Sequence, residues 1–101
     1  MEDTLFREVI ENLEPIDINS WNWQYNPMQR KYYVRDYYDE MQSKDIIIEL
    51  HSIHCVRNHQ DYVEDLEFEV DDFIIDENNE KHHFTKEQFK LFVEEIDKQI
   101  W

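Results

Sequence analysis

The sequence predicts an α+β protein, in which an antiparallel sheet of about four strands carries an N-terminal and a C-terminal helix packed on one face. Three observations support this prediction. Apolar residues recur at helical spacing at both ends of the chain, strand-like segments fill the middle, and polar turn residues separate those segments. At a length of 101 residues, we expect a single compact domain over residues 1–101.

The first predicted helix covers residues 3–14. Asp3 or Thr4 is expected to cap its start. Pro15 disfavours helical geometry at Glu14, so the helix should end there. Its apolar stripe has a period near 3.6 and consists of Leu5, Phe6, Val9, Ile10 and Leu13.

Four strands are predicted between the helices, because β-branched and aromatic residues concentrate in four segments. In the first, residues 16–25, a connector leads into an alternation of Trp21, Trp23 and Tyr25 with polar residues. The other segments are residues 31–39, 46–57 and 62–75, the last of them bent or bulged. Turns are expected at residues 26–27, 42–45, 58–61 and 76–80.

Alternation within the strands predicts which side chains share a face. One shared face consists of Ile46, Ile48, Leu50 and Val56. In the last strand, Leu66, Phe68 and Val70 face one way, and Asp65, Glu67, Glu69 and Asp71 face the other. Because the chain contains no glycine, Asn and Asp are expected wherever the backbone needs a positive φ, as in turn 76–80.

The last predicted helix covers residues 86–101. Thr85 and Gln88 have the spacing of a capping box, and Phe84 and Phe89 have the spacing of a hydrophobic staple. Its apolar stripe consists of Phe89, Phe92, Val93, Ile96 and Ile100.

The chain is strongly acidic, with 25 Asp and Glu residues against 10 Lys and Arg residues and a formal net charge of -15. This charge repels DNA, RNA and anionic membranes. It also exceeds the net charge of about 2 to 8 that solubility requires. We therefore expect a basic protein partner, and neither direct nucleic-acid binding nor membrane binding. The missing glycine excludes Gly-rich phosphate-binding loops.

Ten acidic residues and no Lys or Arg lie between residues 58 and 80. Alternate acids on one strand face stand about 6.7 Å apart, whereas a nucleic-acid strand advances about 3.4 Å per phosphate. Helix acids would have to join them to imitate a duplex, and the alternative is an ordinary solvated strand face. The predicted partner-binding acids are Asp61, Glu64, Asp65, Glu67, Glu69, Asp71, Asp72, Asp76, Glu77 and Glu80.

Seven Trp and Tyr residues are concentrated between residues 21 and 38. Protein interfaces favour these side chains because they contribute a large contact area with few torsions. Trp21, Trp23, Tyr33 and Tyr37 therefore join the predicted partner-binding set. The alternative is an aromatic sheet core, but alternation cannot bury all seven, so at least two should be exposed.

No catalytic, metal or cofactor site is predicted, and we do not expect an enzyme. His51 and His54 differ by an odd number, so they should point to opposite faces of a strand. Residues 76–87 approach the spacing of a calcium loop, but Lys81 stands where that loop needs glycine. Cys55, the one cysteine, excludes an internal disulfide and is expected to be a buried apolar group.

The N-terminal segment has no basic region and no apolar region of the kind that signal peptides carry. The longest uninterrupted apolar run is Ile46–Ile48, far too short for a membrane span. We therefore expect a cytoplasmic protein, or one that is delivered into a cytosol.

In net charge, size and the acidic run 61–80, the chain resembles small phage-encoded anti-CRISPR and anti-restriction proteins that imitate nucleic acid. The resemblance involves no family motif, so it transfers no functional residues. It implies an inhibitor that acts in the cytosol of a bacterial host and binds a basic nucleic-acid-handling protein there. That partner would be a defence effector, such as a CRISPR effector, or a nuclease, and the inhibitor would block or perturb its nucleic-acid site. Two alternatives are an immunity protein against a basic nuclease toxin and a non-inhibitory adaptor that binds through its Trp and Tyr surface.

Overall fold

A computed structural model describes residues 1–59 and 62–100 and confirms the α+β class. Helices α1 (Asp3–Glu11) and α2 (Lys86–Ile100) lie at the two ends of the chain. An antiparallel sheet has the strand order β1-β2-β3-β4, with β1 at Gln24–Asn26, β2 at Lys31–Ser43, β3 at Ile46–His59 and β4 at Tyr62–Glu69. A 3₁₀ turn at Ile18–Ser20 precedes β1, and β5 (Phe73–Ile75) pairs with β6 (Lys81–His83) in a separate two-stranded sheet.

One hydrophobic core joins the helices to the sheet. Val9 of α1 and Phe92 and Ile96 of α2 are buried together with Leu50 and Ile53 of β3. Since both helices bury their apolar stripes against the inward residues of the sheet, they cover the same sheet face, as the sequence predicts.

The hairpin of β2 and β3 determines the shape of the molecule. These strands have 13 and 14 residues, which corresponds to a length of roughly 45 Å at about 3.3 Å per residue. The principal extents are 49 × 23 × 18 Å. The radius of gyration is 15.1 Å, above the about 13 Å typical of a compact chain of this length, so the molecule is elongated.

Asp36 in β2 and Ser52 in β3 are bulged residues with φ values of 54° and 55°. Each adds one residue to its strand on either side of the Tyr37–Ile53 pair. Because Ser52 shifts the alternation by one residue, Cys55 is buried and Val56 is not. The prediction that Val56 shares a face with Ile46, Ile48 and Leu50 is therefore wrong.

Positive φ values are distributed more widely than the sequence predicts. Asn79 supplies one in turn 76–80, as expected, with a φ of 63°. Arg30, Lys44 and Ser52 also have positive φ, so the expectation that only Asn and Asp meet this need is wrong. Turns and bulges that the surrounding sheet fixes impose this conformation on whichever residue occupies them.

Helix α1 ends at Glu11, three residues before the predicted end. The backbone N–H of Asn12 still bonds the Glu8 carbonyl, but that of Glu14 donates to the carbonyl of Gln42 in β2 at 2.9 Å. The chain thus leaves the helix to pair with the sheet. The predicted caps are also wrong, because the N-cap is Glu2 and it makes no side-chain capping bond.

The predicted first strand shortens to β1, because Trp21 and Trp23 make contacts that are not those of a strand. The Trp23 indole N–H donates to the carbonyl of Ile18 at 2.8 Å, and the Trp21 indole N–H donates to the Asp39 carboxylate. Strand β2 runs on to Ser43 and β3 to His59, beyond both predicted ends.

The predicted strand 62–75 divides into β4 and β5, because Phe73–Ile75 pairs with β6 rather than with β3. Strand β6 is not among the strands that the sequence predicts. The capping box of α2 is confirmed by reciprocal bonds between Thr85 and Gln88, and the rings of Phe84 and Phe89 lie 6.2 Å apart. Of the remaining predictions, the turn residues 60–61 and the helix position Trp101 lie outside the described residues.

Candidate functional site

The sheet face opposite the helices is largely exposed to solvent. Its side chains alternate with buried core residues along the three long strands, and their exposure is what identifies this face. We call this surface the open face. It consists of Tyr33, Arg35, Tyr38, Glu40 and Gln42 of β2, Ile47, Glu49, His51, His54 and Val56 of β3, and Asp65, Glu67 and Glu69 of β4.

Three acids form a continuous row along β4, at the margin of the open face. Asp65, Glu67 and Glu69 are exposed, while Leu66 and Phe68 between them are half-buried and pack against the core. This confirms the alternation that the sequence predicts for the centre of this strand. We call these three residues the acidic row.

A further bulge separates Glu64 from the acidic row. The pairs Val56–Asp65 and Arg57–Val63 leave Glu64 as an extra residue in β4. Its carboxylate accepts from Lys31 Nζ at 3.0 Å and from the Asn58 amide. The hydrogen bond from Lys31 is the main cause that lowers the pKa of Glu64. Glu64 is therefore engaged within the molecule.

Two histidines lie between the acidic row and β2. In the register of β3 and β4, His51 lies opposite Glu69 and His54 lies opposite Glu67. Because the Ser52 bulge intervenes, both histidines lie on the open face, and the prediction of opposite faces is wrong. His54 Nε2 lies 3.6 Å from an Asp36 carboxylate oxygen.

Tyr38 packs against β3 on the same face. Its ring stacks on that of His51, with centroids 6.0 Å apart and planes 9° from parallel. Its hydroxyl bonds the carboxylate of Glu49, which raises the pKa of Tyr38 to about 12. Glu49 also lies directly opposite Glu40, an unfavourable pairing of like charges. The sequence does not indicate His51, His54, Tyr38 or Glu49 as site residues, because the bulges that align them leave no pattern in it.

The structure separates the predicted aromatic contact residues. Trp21 is buried, with 3 % of its surface exposed, and it packs against Tyr37. Trp23 is half-buried and lies on the core side with Arg57. Only Tyr33 of the four predicted residues lies on the open face. Among the seven Trp and Tyr residues, Tyr25 and Tyr38 are exposed, so the expectation of at least two is confirmed.

The remaining predicted acids lie beyond β4. Asp71 and Asp72 are exposed in the connection to β5. Glu77 and Glu80 are exposed in the turn between β5 and β6. The structure does not bring Asp72, Glu77 or Glu80 into the row on β4. Asp71 lies close enough to Tyr38 of the open face for its charge to help raise the pKa of that hydroxyl. Asp61 lies outside the described residues.

Asp76 organises the turn between β5 and β6. One carboxylate oxygen accepts from the backbone N–H groups of Asn78 and Glu80, both at 2.9 Å. The other lies 2.8 Å from His82 Nε2. The bond from His82, followed by the bond from the Glu80 N–H, lowers the pKa of Asp76. Asp76 thus stabilises a hairpin.

Metal ligation and cysteine chemistry have few candidate groups. Within residues 1–59 and 62–100, Asp76, Glu80 and His82 are the one set of three potential ligands whose atoms lie within 4.8 Å of one another. The hairpin bonds of Asp76 already account for this proximity. Burial raises the pKa of the Cys55 thiol to about 12, which disfavours the reactive thiolate.

Comparisons with protein families, with curated proteins and with solved structures find no match for this chain. In the part of the chain that the structure describes, no helix is both long enough and apolar enough to cross a membrane.

Proposed function

We propose that this protein is an acidic inhibitor that acts in the cytosol of a bacterial host. Its open face binds a basic nucleic-acid-handling protein, such as a CRISPR effector. Binding then blocks or perturbs the nucleic-acid site of that partner.

The acidic row is the observation that carries this proposal. Asp65, Glu67 and Glu69 project from one strand at a repeat of about 6.7 Å on a face that no helix covers. Within the described chain, no Lys or Arg forms an ion pair with them. Their charges are therefore available to a cationic surface.

The rest of the open face supports the same partner. Counting the acidic row, the open face carries five carboxylates, those of Glu40, Glu49, Asp65, Glu67 and Glu69, against the guanidinium of Arg35. Lys31 has the same parity in β2, but its charge is paired with Glu64. The net charge of -15 adds a long-range field that accelerates association with a basic surface.

Aromatic side chains of the open face provide contact area beside these charges. Tyr38 has 48 % of its surface exposed, and Tyr33 is half-buried. Tyrosine is enriched at interface centres because it buries a large area at a small entropic cost. Contacts between charges weaken as the salt concentration rises, and aromatic contacts weaken less. A surface that has both favours a specific complex over nonspecific electrostatic attraction.

The test is to capture partners from a bacterial lysate at about 50 mM and about 500 mM NaCl. Two variants with the same change in net charge are compared with the unmodified protein. One is Glu67→Lys/Glu69→Lys in the acidic row, and the control is Glu11→Lys/Glu94→Lys on the exposed surfaces of α1 and α2.

We expect the captured protein to bind nucleic acid, to be released by high salt and to be displaced by an excess of its own DNA or RNA. The acidic-row variant should lose at least tenfold in affinity, and the helix variant should lose much less. Equal loss in both variants would refute the open face as the binding surface. A captured protein without nucleic-acid affinity would refute the function.

A further inference from the structure

Strand β4 is the last strand of the four-stranded sheet, and no other strand in residues 1–59 and 62–100 lies beside its outer edge. It pairs with β3 on one side only. Among the described residues, no backbone hydrogen bond from a turn, loop or cap reaches residues 63–69. The opposite margin differs, because both β1 and residues 13–14 pair with β2. Over residues 63–69, the outer edge of β4 therefore presents N–H and C=O groups that pair with no other described strand.

The two sides of this edge differ in chemistry. The acidic row lines the open face, whereas Leu66 and Phe68 point toward the helix side and are half-buried. A surface groove of about 390 Å³ runs along this part of β4, lined by residues 66–69, by Val93 of α2 and by Ser52 and His54 of β3, and its apolar groups are those of Leu66, Phe68 and Val93. An added strand would thus meet carboxylates on one face and apolar groups on the other.

The charge of this edge determines which strand it accepts. Like charges directly opposite each other on neighbouring strands are destabilising, and opposite charges are stabilising. A second copy of this chain would place acids against the acidic row, and edge strands commonly avoid self-association by such charges. A strand with basic side chains has the complementary charge.

Building on the proposed function, we propose that the outer edge of β4 binds an extended segment of the basic partner as a fifth strand. The segment carries Lys or Arg at alternate positions, facing the acidic row, and apolar residues at the positions between them. Backbone hydrogen bonds to β4 hold the segment, and the alternating side chains provide specificity.

The bulge at Glu64 limits the length of this contact. Regular alternation runs from Asp65 to Glu69, which corresponds to about 17 Å at about 3.3 Å per residue. We therefore expect five or six residues of the partner to pair with β4.

The test uses two synthetic hexapeptides with blocked ends and identical composition. One alternates lysine and valine, and the other places three lysines before three valines. Calorimetry measures the affinity of each peptide for the full chain, and NMR measures hydrogen exchange of the backbone amides of β4. The variants Glu67→Lys/Glu69→Lys and Glu11→Lys/Glu94→Lys serve as test and control, with folding checked by circular dichroism.

We expect the alternating peptide to bind at least tenfold more tightly than the block peptide. It should slow exchange at least tenfold at those amides between Asp65 and Glu69 that point away from β3. The acidic-row variant should lose this preference, and the helix variant should keep it.

Equal affinities, or binding of the alternating peptide without slowed exchange in β4, would overturn strand addition. So would a failure of both peptides to bind. The lysate experiment separates this failure from that of the proposed function. If the acidic-row variant still loses its partner there, then the open face binds through side chains alone and the proposed function stands.

Discussion

The guanidinium of Arg57 in β3 lies 4.0 Å from the ring centroid of Trp23. The ring of Tyr32 is 5.5 Å away, and Arg57 Nη1 donates to the side-chain carbonyl of Asn19 at 3.2 Å. Only 6 % of the Arg57 surface is exposed. This buried cation therefore fastens the irregular segment before β1 to the inner side of the sheet.

Replacing Arg57 with methionine should destabilise the protein. The change removes cation–π contacts that contribute about 0.5 to 2 kcal/mol and a hydrogen bond that contributes about 1 kcal/mol. We expect the free energy of unfolding in urea to fall by about 1 to 3 kcal/mol. Arg35→Met on the exposed open face is the control and should change it by less than about 0.5 kcal/mol. Similar values for both variants would contradict the anchoring role of Arg57.

Phe92→Ala tests the packing of α2. Phe92 is fully buried, and its ring stacks on that of Phe84 with centroids 4.5 Å apart. Loss of a buried phenylalanine ring costs about 3 to 5 kcal/mol, and we expect that decrease in denaturant unfolding. Leu91→Ala, at a neighbouring residue that is 51 % exposed, should cost about 1 kcal/mol or less. A near-neutral Phe92→Ala would mean that α2 is not part of the core.

Ser52→Gly should stabilise the protein. A non-glycine residue with positive φ costs roughly 1 to 2 kcal/mol, and Ser52 has a φ of 55°. Glycine removes this cost. It also increases the conformational entropy of the unfolded chain, which offsets part of the gain in stability. We expect a gain of about 0.5 to 1 kcal/mol in urea unfolding. Gln42→Gly, at an exposed strand position outside the positive-φ set, should instead destabilise by a similar amount. A loss with Ser52→Gly would exclude backbone strain at this bulge.

Asp76→Asn should change how stability depends on acidic pH. The pKa of Asp76 in the folded protein lies below its ordinary value. The stabilisation that the ionised Asp76 carboxylate gives to the folded state is therefore complete above the pKa of an aspartate in the unfolded chain, near 3.9. It disappears as the pH falls through the lower pKa of the folded state.

The measurement is the thermal midpoint of unfolding between about pH 6 and pH 2. The difference in thermal midpoint between the unmodified protein and Asp76→Asn should be largest at the upper end of this pH range and should shrink toward its lower end. Glu77→Gln, an exposed carboxyl of the same turn, is the control. A difference that stays constant with pH would mean that Asp76 acts without its charge.

The elements with strong local signals are those that the sequence predicts correctly. Thr85 and Gln88 identify the start of α2, and the alternation of Asp65, Glu67 and Glu69 with Leu66 and Phe68 identifies the two sides of β4. These signals lie within a few neighbouring residues and do not depend on the rest of the fold.

Pairing between distant segments limited the rest of the prediction. Whether Phe73–Ile75 continues β4 or turns to pair with Lys81–His83 depends on partners that local propensity does not reveal. The early end of α1 likewise depends on Gln42, which bonds Glu14 from another element.

The composition of the open face was only partly predictable. Sequence alternation located the acidic row, but it placed His51 and His54 on opposite faces, because one inserted residue at Ser52 reverses the parity of everything that follows. No composition rule identifies such a residue in a chain without glycine. Trp21 shows the converse, since a side chain typical of interfaces is used here to cover the core.

The matched bulges at Asp36 and Ser52 have a consequence for how this hairpin tolerates change in length. Each strand gains one residue beside the same Tyr37–Ile53 pair, so the two gains compensate. Deleting Ser52 alone would restore regular alternation, because Leu50, His51 and Ile53 would then face in, out and in. Asp36 is the corresponding extra residue of β2. Either bulge can therefore be removed without turning a core residue outward, and the expected change is a weaker local twist of the hairpin.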